Sequence, residues 1–132
     1  MLDSDKRQHK IRLEGIDAPE KAQAFGQVSK QALSDLVFDK KVIVEWSKED
    51  RYKRLVGKVT LDGTDINLKQ TTAGLAWHYK KYSNEQTQAD ALLYASAENA
   101  ARSRGLGLWA DPHAVPPWDW RKQKKLRAGT LP

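Results

Sequence analysis

Two β-branched runs, Val42-Ile43-Val44-Glu45-Trp46 and Leu55 to Leu61, constrain the fold of this chain most. Both favour extended backbone, and an almost wholly charged loop, Ser47-Lys48-Glu49-Asp50-Arg51-Tyr52-Lys53-Arg54, separates them. The second run stops at the turn pair Asp62-Gly63. A shorter run, Ile11 and Leu13 with Ile16 beyond Gly15, puts apolar side chains on one strand face and Arg12 on the other. It ends at a turn announced by Ala18-Pro19, with Asp17 and Glu20 where strand gives way to loop. At the chain start, Leu2 to Ser4 reads as the end of a strand, with Asp5-Lys6-Arg7-Gln8 as the tip of a hairpin.

Helical patterns are interleaved with these runs. Phe25, Val28, Ala32, Leu33, Leu36 and Val37 recur at three and four and predict a helix over about Ala24 to Val37. Asn67 reads as the cap of a short helix through Thr72, with Gly74 as its stop. Ala76 to Ser83 is aromatic and basic and reads as extended or loop. A last helix is expected from about Glu85 to Arg104, with Ala89, Leu92, Leu93, Ala97, Ala100 and Ala101 as a narrow apolar stripe and Gly105 as its end. Short strands with helices inserted among them predict an α+β fold, a small β-barrel with helices packed on it, rather than a parallel α/β sheet.

A chain of 132 residues is one domain of ordinary size. With 39% hydrophobic and 30% charged residues, it holds no apolar run approaching the roughly 20 residues of a membrane span, so no membrane partner is expected. The absence of cysteine excludes disulfides, zinc thiolate sites and a cysteine nucleophile. The net charge of +6 invites a nucleic-acid reading, but Arg121, Lys122, Lys124, Lys125 and Arg127 supply five of those charges and the rest of the chain carries +1. The expected organisation is therefore a domain over residues 1–110 and a basic tail over 111–132 bearing prolines and Trp118 and Trp120, which pack the tail back on the domain. Met1 is followed by Leu-Asp-Ser-Asp-Lys, without the apolar core of a signal peptide.

Chemistry is concentrated in two clusters. Asp17 and Glu20 stand three apart around Pro19, and a hard cation such as Ca²⁺ or Mg²⁺ is a natural mediator between them. Taken alone, the same stretch reads as a solvated turn with a surface ion pair. The second cluster, Asp50 to Arg54, adds Arg54 at the start of a strand and Arg51 and Tyr52 on the loop before it. Two arginines on separate strands, Arg12 and Arg54, together with carboxylates and a metal, suit a phosphodiester. Guanidinium forks hold phosphate oxygens and offset charge that develops in the transition state, while a carboxylate positions or deprotonates water. Glu14 shares the face of Arg12 by alternation and is read as its ion-pair partner.

Arg12 through Glu20, followed by Asp50-Arg51-Tyr52-Lys53-Arg54, resembles the thermonuclease or staphylococcal-nuclease-like family, whose pattern is an arginine strand, an Asp-x-Pro-Glu turn and a later Asp-x-Tyr-x-Arg loop. Asn67-Leu68, Gly74-Leu75-Ala76 and Gly107-Leu108-Trp109 agree with the family's frame, so the resemblance covers nearly all of Leu2 to Trp109. It implies an OB-fold, a small Greek-key barrel with three helices, and a Ca²⁺-dependent phosphodiesterase acting on DNA and RNA. By the same resemblance, Arg12 and Arg54 match the phosphate arginines, Glu20 the general base or water-positioning group, and Asp17 and the Ala18 carbonyl two metal ligands. Tyr52 matches a tyrosine at a terminal phosphate, with Arg51 beside it on the substrate-binding loop, and Tyr82 corresponds to an aromatic that stacks on a base.

Family members carry, upstream of the strand ending near Leu2, a first strand and an Asp-Gly-Asp-Thr segment that supplies a further Ca²⁺ ligand, and the sequence starts after it. The expectations that follow are weak Ca²⁺ binding, slow or absent cleavage, and unpaired barrel edges open to strand exchange or an edge-paired dimer. Two functions from different classes result: a nuclease, or a non-catalytic module of the same fold that holds nucleic acid or a peptide. Localisation stays open, with export implied by the resemblance alone.

Overall fold

The computed structural model describes residues 1–130. Its strands are β1 (Ile11–Leu13), β2 (Ile16–Asp17), β3 (Ile43–Glu49), β4 (Leu55–Leu61), β5 (Thr64–Asp65) and β6 (Trp77–His78). Its helices are α1 (Gly26–Val37), α2 (Ile66–Thr72), α3 (Gln88–Arg104) and α4 (Pro117–Thr130), so the α+β class expected from the sequence holds. The two β-branched runs are the longest strands, and β4 is the centre of the main sheet. It pairs antiparallel with β3 and β5 and parallel with β1. Leu55, Val56, Gly57 and Val59 are buried along it. At Gly57 a Cβ would lie 2.6 Å from Val44 Cγ1, so the close approach of β3 requires glycine there.

The run from Ile11 to Asp17 serves two sheets. Its first half pairs with β4, and Glu14 N donates to Gly57 O at 2.8 Å. Its second half pairs antiparallel with β6, and Tyr79 N donates to Gly15 O at 2.9 Å. Arg12 and Asp17 are thereby fixed on one continuous strand segment. The hairpin expected at the chain start is present as a bridge between Leu2 and Gln8, with Asp3 hydrogen-bonded across it to His9 at 2.7 Å.

Three helix expectations are corrected. Helix α1 begins at Gly26, after Phe25 takes a left-handed φ of 65°, and it buries Gly26 and Ser29 while Val28 stays exposed. A Cβ on Gly26 would lie 2.0 Å from Glu20 O, so this glycine lets the helix start against the Pro19-Glu20 turn. The cap of α2 is Asp65, whose carboxylate accepts from Leu68 N at 3.0 Å, and Asn67 lies inside the helix. Helix α3 starts at Gln88, capped by Thr87, because Lys80–Glu85 is a separate 3-10 turn. Its buried face is Tyr94, Glu98 and Ala101, while Leu92 and Leu93 are exposed. Within the segment read as tail, Pro117 opens α4 at a position that needs no amide donor.

The core gathers Ile16, Ala76 and Tyr94, with Leu13 and Leu68 packed against it. A second apolar body is aromatic. Trp77 meets Trp109 edge-on at 4.4 Å and Trp118 at 5.4 Å, and Trp118 stacks on Tyr79 at 5.0 Å. Trp118 therefore packs α4 against β6 and the residue that follows it, as expected for that residue.

Candidate active site

The loop between β3 and β4 is organised by one side chain. Asp50 Oδ1 accepts from Tyr52 N at 2.8 Å and Arg54 N at 3.0 Å, and Lys53 turns the chain at a left-handed φ of 61°. Asp50 Oδ2 then accepts from Arg54 Nε at 2.7 Å and lies 3.5 Å from Arg12 Nε. Burial works against the charged form of Asp50, but the hydrogen bonds from Arg54 and Tyr52 outweigh it and hold the carboxyl below its usual value. A single carboxylate thus brings together Arg12 of β1 and Arg54, the residue just before β4. The Nη groups of Arg54 make no hydrogen bond among the described residues, and Tyr52 lies beneath its guanidinium at 5.5 Å.

Arg12 is held more tightly. Its Nη2 donates to both oxygens of Glu85 at 3.0 Å, and its guanidinium stands 5.2 Å over the Tyr82 ring. Glu85 is only 7% exposed and also pairs with Lys48. The expected partner Glu14 makes no ion pair with Arg12. It follows β1 at the point where its amide turns to Gly57, and its carboxyl is raised by burial and by the neighbouring charge of Glu85.

The acidic pair lies on a rigid turn. Asp17 is the last residue of β2, paired with Trp77, and Gln23 closes the turn after it. Gln23 N donates to Glu20 O at 2.8 Å and Gln23 Oε1 accepts from Glu20 N at 2.9 Å, while Gln23 Nε2 reaches Val115 O at 2.9 Å. Both carboxylates converge on Arg121 of α4. Its Nη2 donates to Asp17 Oδ2 at 2.7 Å, and Nη1 donates to Asp17 Oδ1 at 3.1 Å and Glu20 Oε1 at 2.7 Å. Burial pushes the Asp17 carboxyl up against the opposing pull of Arg121, and the hydrogen bonds with Asp17 push Arg121 further above its usual value.

These groups line one cleft of about 860 Å³. Arg12, Asp17, Glu20, Arg51, Tyr52, Arg54 and Tyr82 all contribute to its walls; the side chain of Ala18 is exposed and does not. Arg51 donates to the Tyr52 hydroxyl at 2.8 Å, so that pair acts as one unit at the rim. Among the residues of the cleft that sequence reasoning missed are Glu85, Tyr79 and Arg121. Nothing in the sequence links Glu85 to Arg12 across 73 positions. Arg121 had a local signal, since Pro117, Trp118 and Arg121 have the spacing of a helix start with one anchored face. Among the described residues no group of three or more His, Asp or Glu side chains gathers as a metal cluster. Asp17 and Glu20 nevertheless present hard oxygens to one positive charge, which is the donor chemistry that a divalent cation such as Ca²⁺ takes.

Comparison with known proteins follows the same residues. The family model described as staphylococcal nuclease homologue matches residues 10–111, which span β1 to the turn after α3. An uncharacterized endonuclease of Haemophilus influenzae is 44% identical over 117 residues, covering 89% of this chain and 62% of the relative. Protein ParB of Escherichia coli is 37% identical over 132 residues, covering 93% and 72%. A micrococcal nuclease of Shigella flexneri is 40% identical over 125 residues, covering 88% and 70%. The chain thus spans about three fifths of the Haemophilus relative's length and somewhat more of the other two. With a matched cleft-bearing core of this extent, the chain belongs to the staphylococcal nuclease homologue family.

Proposed function

We propose that this chain carries the catalytic domain of a nuclease that hydrolyses phosphodiester bonds of DNA or RNA. The observation that carries the reading is the pairing of Arg12 and Arg54 through Asp50 in the same cleft as the Asp17-Glu20 turn. Related proteins described as endonuclease and micrococcal nuclease support it. The substrate phosphate sits between the two guanidiniums, with the open Nη fork of Arg54 on its oxygens and Arg12 kept in place by Glu85. Glu20 aligns a water and takes its proton as the water oxygen bonds to phosphorus; the bond to the sugar 5′ oxygen breaks, and that oxygen leaves with a proton from solvent. Both arginines stabilise the added negative charge on the phosphoryl oxygens. Arg51 and Tyr52 hold a flanking phosphate at the rim, and Tyr82, already beneath Arg12, offers a face to a base. A Ca²⁺ ion held by Asp17 and the Ala18 carbonyl would neutralise a phosphate oxygen and lower the cost of charging the attacking water.

Ca²⁺ takes six to eight oxygens. The described residues offer two convergent carboxylates, both engaged by Arg121, so this chain holds the ion weakly and cleaves slowly. That observation also favours a second reading, in which the module binds nucleic acid without cutting it. The remaining parts of the proposal are a nuclease domain over residues 1–110 with residues 111–132 as an appended basic segment, and β3 as an edge open to a further strand.

The test is cleavage of single-stranded DNA in Ca²⁺ and in chelator, by this chain and by a version extended upstream. Glu20→Gln in the extended chain should lower cleavage by about 100-fold or more while leaving DNA binding intact. Equal rates for the two forms would sink the mechanism. Binding without cleavage by both lengths would establish the binding module instead.

A further inference from the structure

We propose that Arg121 is a resident competitor for the divalent cation: α4 holds its guanidinium on both oxygens of Asp17, the carboxylate that the cation needs, with a further hold on Glu20, and the cation binds by displacing it. The proposal rests on the nuclease reading only in taking Asp17 as the residue that receives the ion.

The geometry sets the two positive charges against each other at Asp17. Arg121 occupies both oxygens of Asp17 and one of Glu20 at 2.7 to 3.1 Å. A cation on Asp17 takes the same lone pairs at shorter range and repels the guanidinium. Asp17 is 13% exposed, so its charge is poorly hydrated, and the arginine fork supplies the compensation that water does not. Leaving this carboxylate with neither partner is the costly state, and that makes the exchange of one cation for the other coupled rather than sequential.

Arg121 is also delivered by a fixed element rather than by a wandering surface chain. Trp118, three residues earlier on the same helix face, stacks on Tyr79 with an interplanar angle of 8° and packs edge-on to Trp77. Pro117 is buried, and the Gln23–Val115 hydrogen bond ties the approach to α4 to the turn that carries Glu20. The acidic turn and the helix that blocks it are therefore built as one body. Release of Arg121 needs only a side-chain swing, whereas release of α4 breaks the aromatic stack. Once released, the guanidinium remains in the cleft that also holds Arg12 and Arg54, where a substrate phosphate is its next partner.

The experiment is Ca²⁺ binding by calorimetry on the 132-residue chain, with Arg121→Gln, Arg121→Lys, Trp118→Ala and Asp17→Asn. Arg121→Gln should bind Ca²⁺ about tenfold or more tightly than the unaltered chain, because the competing ion pair is gone. Arg121→Lys, which keeps the charge but loses the fork, should fall between them. Trp118→Ala loosens α4 without touching a carboxylate and should tighten binding in the same direction, which guards against a variant that merely unfolds. Asp17→Asn should abolish the heat. If Arg121→Gln and Trp118→Ala bind no tighter than the unaltered chain while Asp17→Asn still abolishes binding, Arg121 is no competitor and the cation assignment stands. If Asp17→Asn binds as well as the unaltered chain, or no variant binds at all, the cation assignment itself fails and this proposal with it.

Discussion

Glu85 shows how an arginine becomes a positioned arginine. A guanidinium on a strand face is long and loses much rotamer freedom when it is fixed, so a second group has to hold it if it is to meet a phosphate in one geometry. Glu85 does so with two hydrogen bonds at 3.0 Å, and Tyr82 limits the guanidinium from its face. Glu85→Ala leaves Arg12, itself 16% exposed, with Asp50 at 3.5 Å as its only carboxylate partner among the described residues. The expected cost is about 3 kcal/mol in denaturant unfolding, the lower end for breaking a buried ion pair by removing one side. Glu85→Gln, which keeps one acceptor and the volume, should lose less. A midpoint unchanged by Glu85→Ala would mean that the pair is no more than a surface contact. This residue was invisible in the sequence, where Arg12 and Arg54 were legible from their place in two spaced motifs. The difference is that strand alternation and turn residues are local signals, while the carboxylate that completes the pair arrives from a 3-10 turn 73 positions along the chain.

At the scale of elements, what the sequence made legible was periodicity, and it failed where polar groups line a buried face. The strands β3 and β4 read directly from their β-branched residues, as did the existence of α1 and α3. The stripe assigned to α3 was wrong because Leu92 and Leu93 face outward, whereas Tyr94 and Glu98 face inward with their polar atoms satisfied. Tyr94 donates to Asp65 at 2.6 Å, and Glu98 accepts from His78 N and Lys80 Nζ. Asn67 is the same case in α2. Its side chain, 0% exposed, accepts from Val59 N at 3.2 Å and donates to Glu14 O at 3.1 Å and Gly57 O at 3.0 Å. One amide thereby joins α2, β4 and the end of β1, the strand that carries Arg12. Asn67→Ala leaves Glu14 O and Val59 N without that partner in a dry site, and about 2–3 kcal/mol of stability should be lost. Thermal and denaturant unfolding of the variant measure this, and a loss below 0.5 kcal/mol, the size of an ordinary exposed substitution, would contradict the bridging role.

For the whole molecule, the unanswered question is the outer side of β3. This strand pairs with β4 on one side only among the described residues, and its Ile43 and Trp46 are 66% and 54% exposed. A seven-residue strand with a free edge is a template for another strand. Two features oppose that. Ser47 makes a bulge between Trp46 and Lys48, and Glu45, Lys48 and Glu49 put charge along the edge. Backbone pairing over Ile43 to Trp46, before the bulge, is left as the usable stretch, with the two apolar side chains as its contacts. Edge pairing through this half should therefore give a weak, concentration-dependent dimer in sedimentation velocity. Trp46→Lys, which adds charge where the contact would form, should leave a monomer at every concentration while unfolding at the same denaturant midpoint. A dimer that persists in Trp46→Lys would move the interface elsewhere. A monomer at all concentrations in the unaltered chain would mean that the bulge and the charges suffice to close the edge on their own.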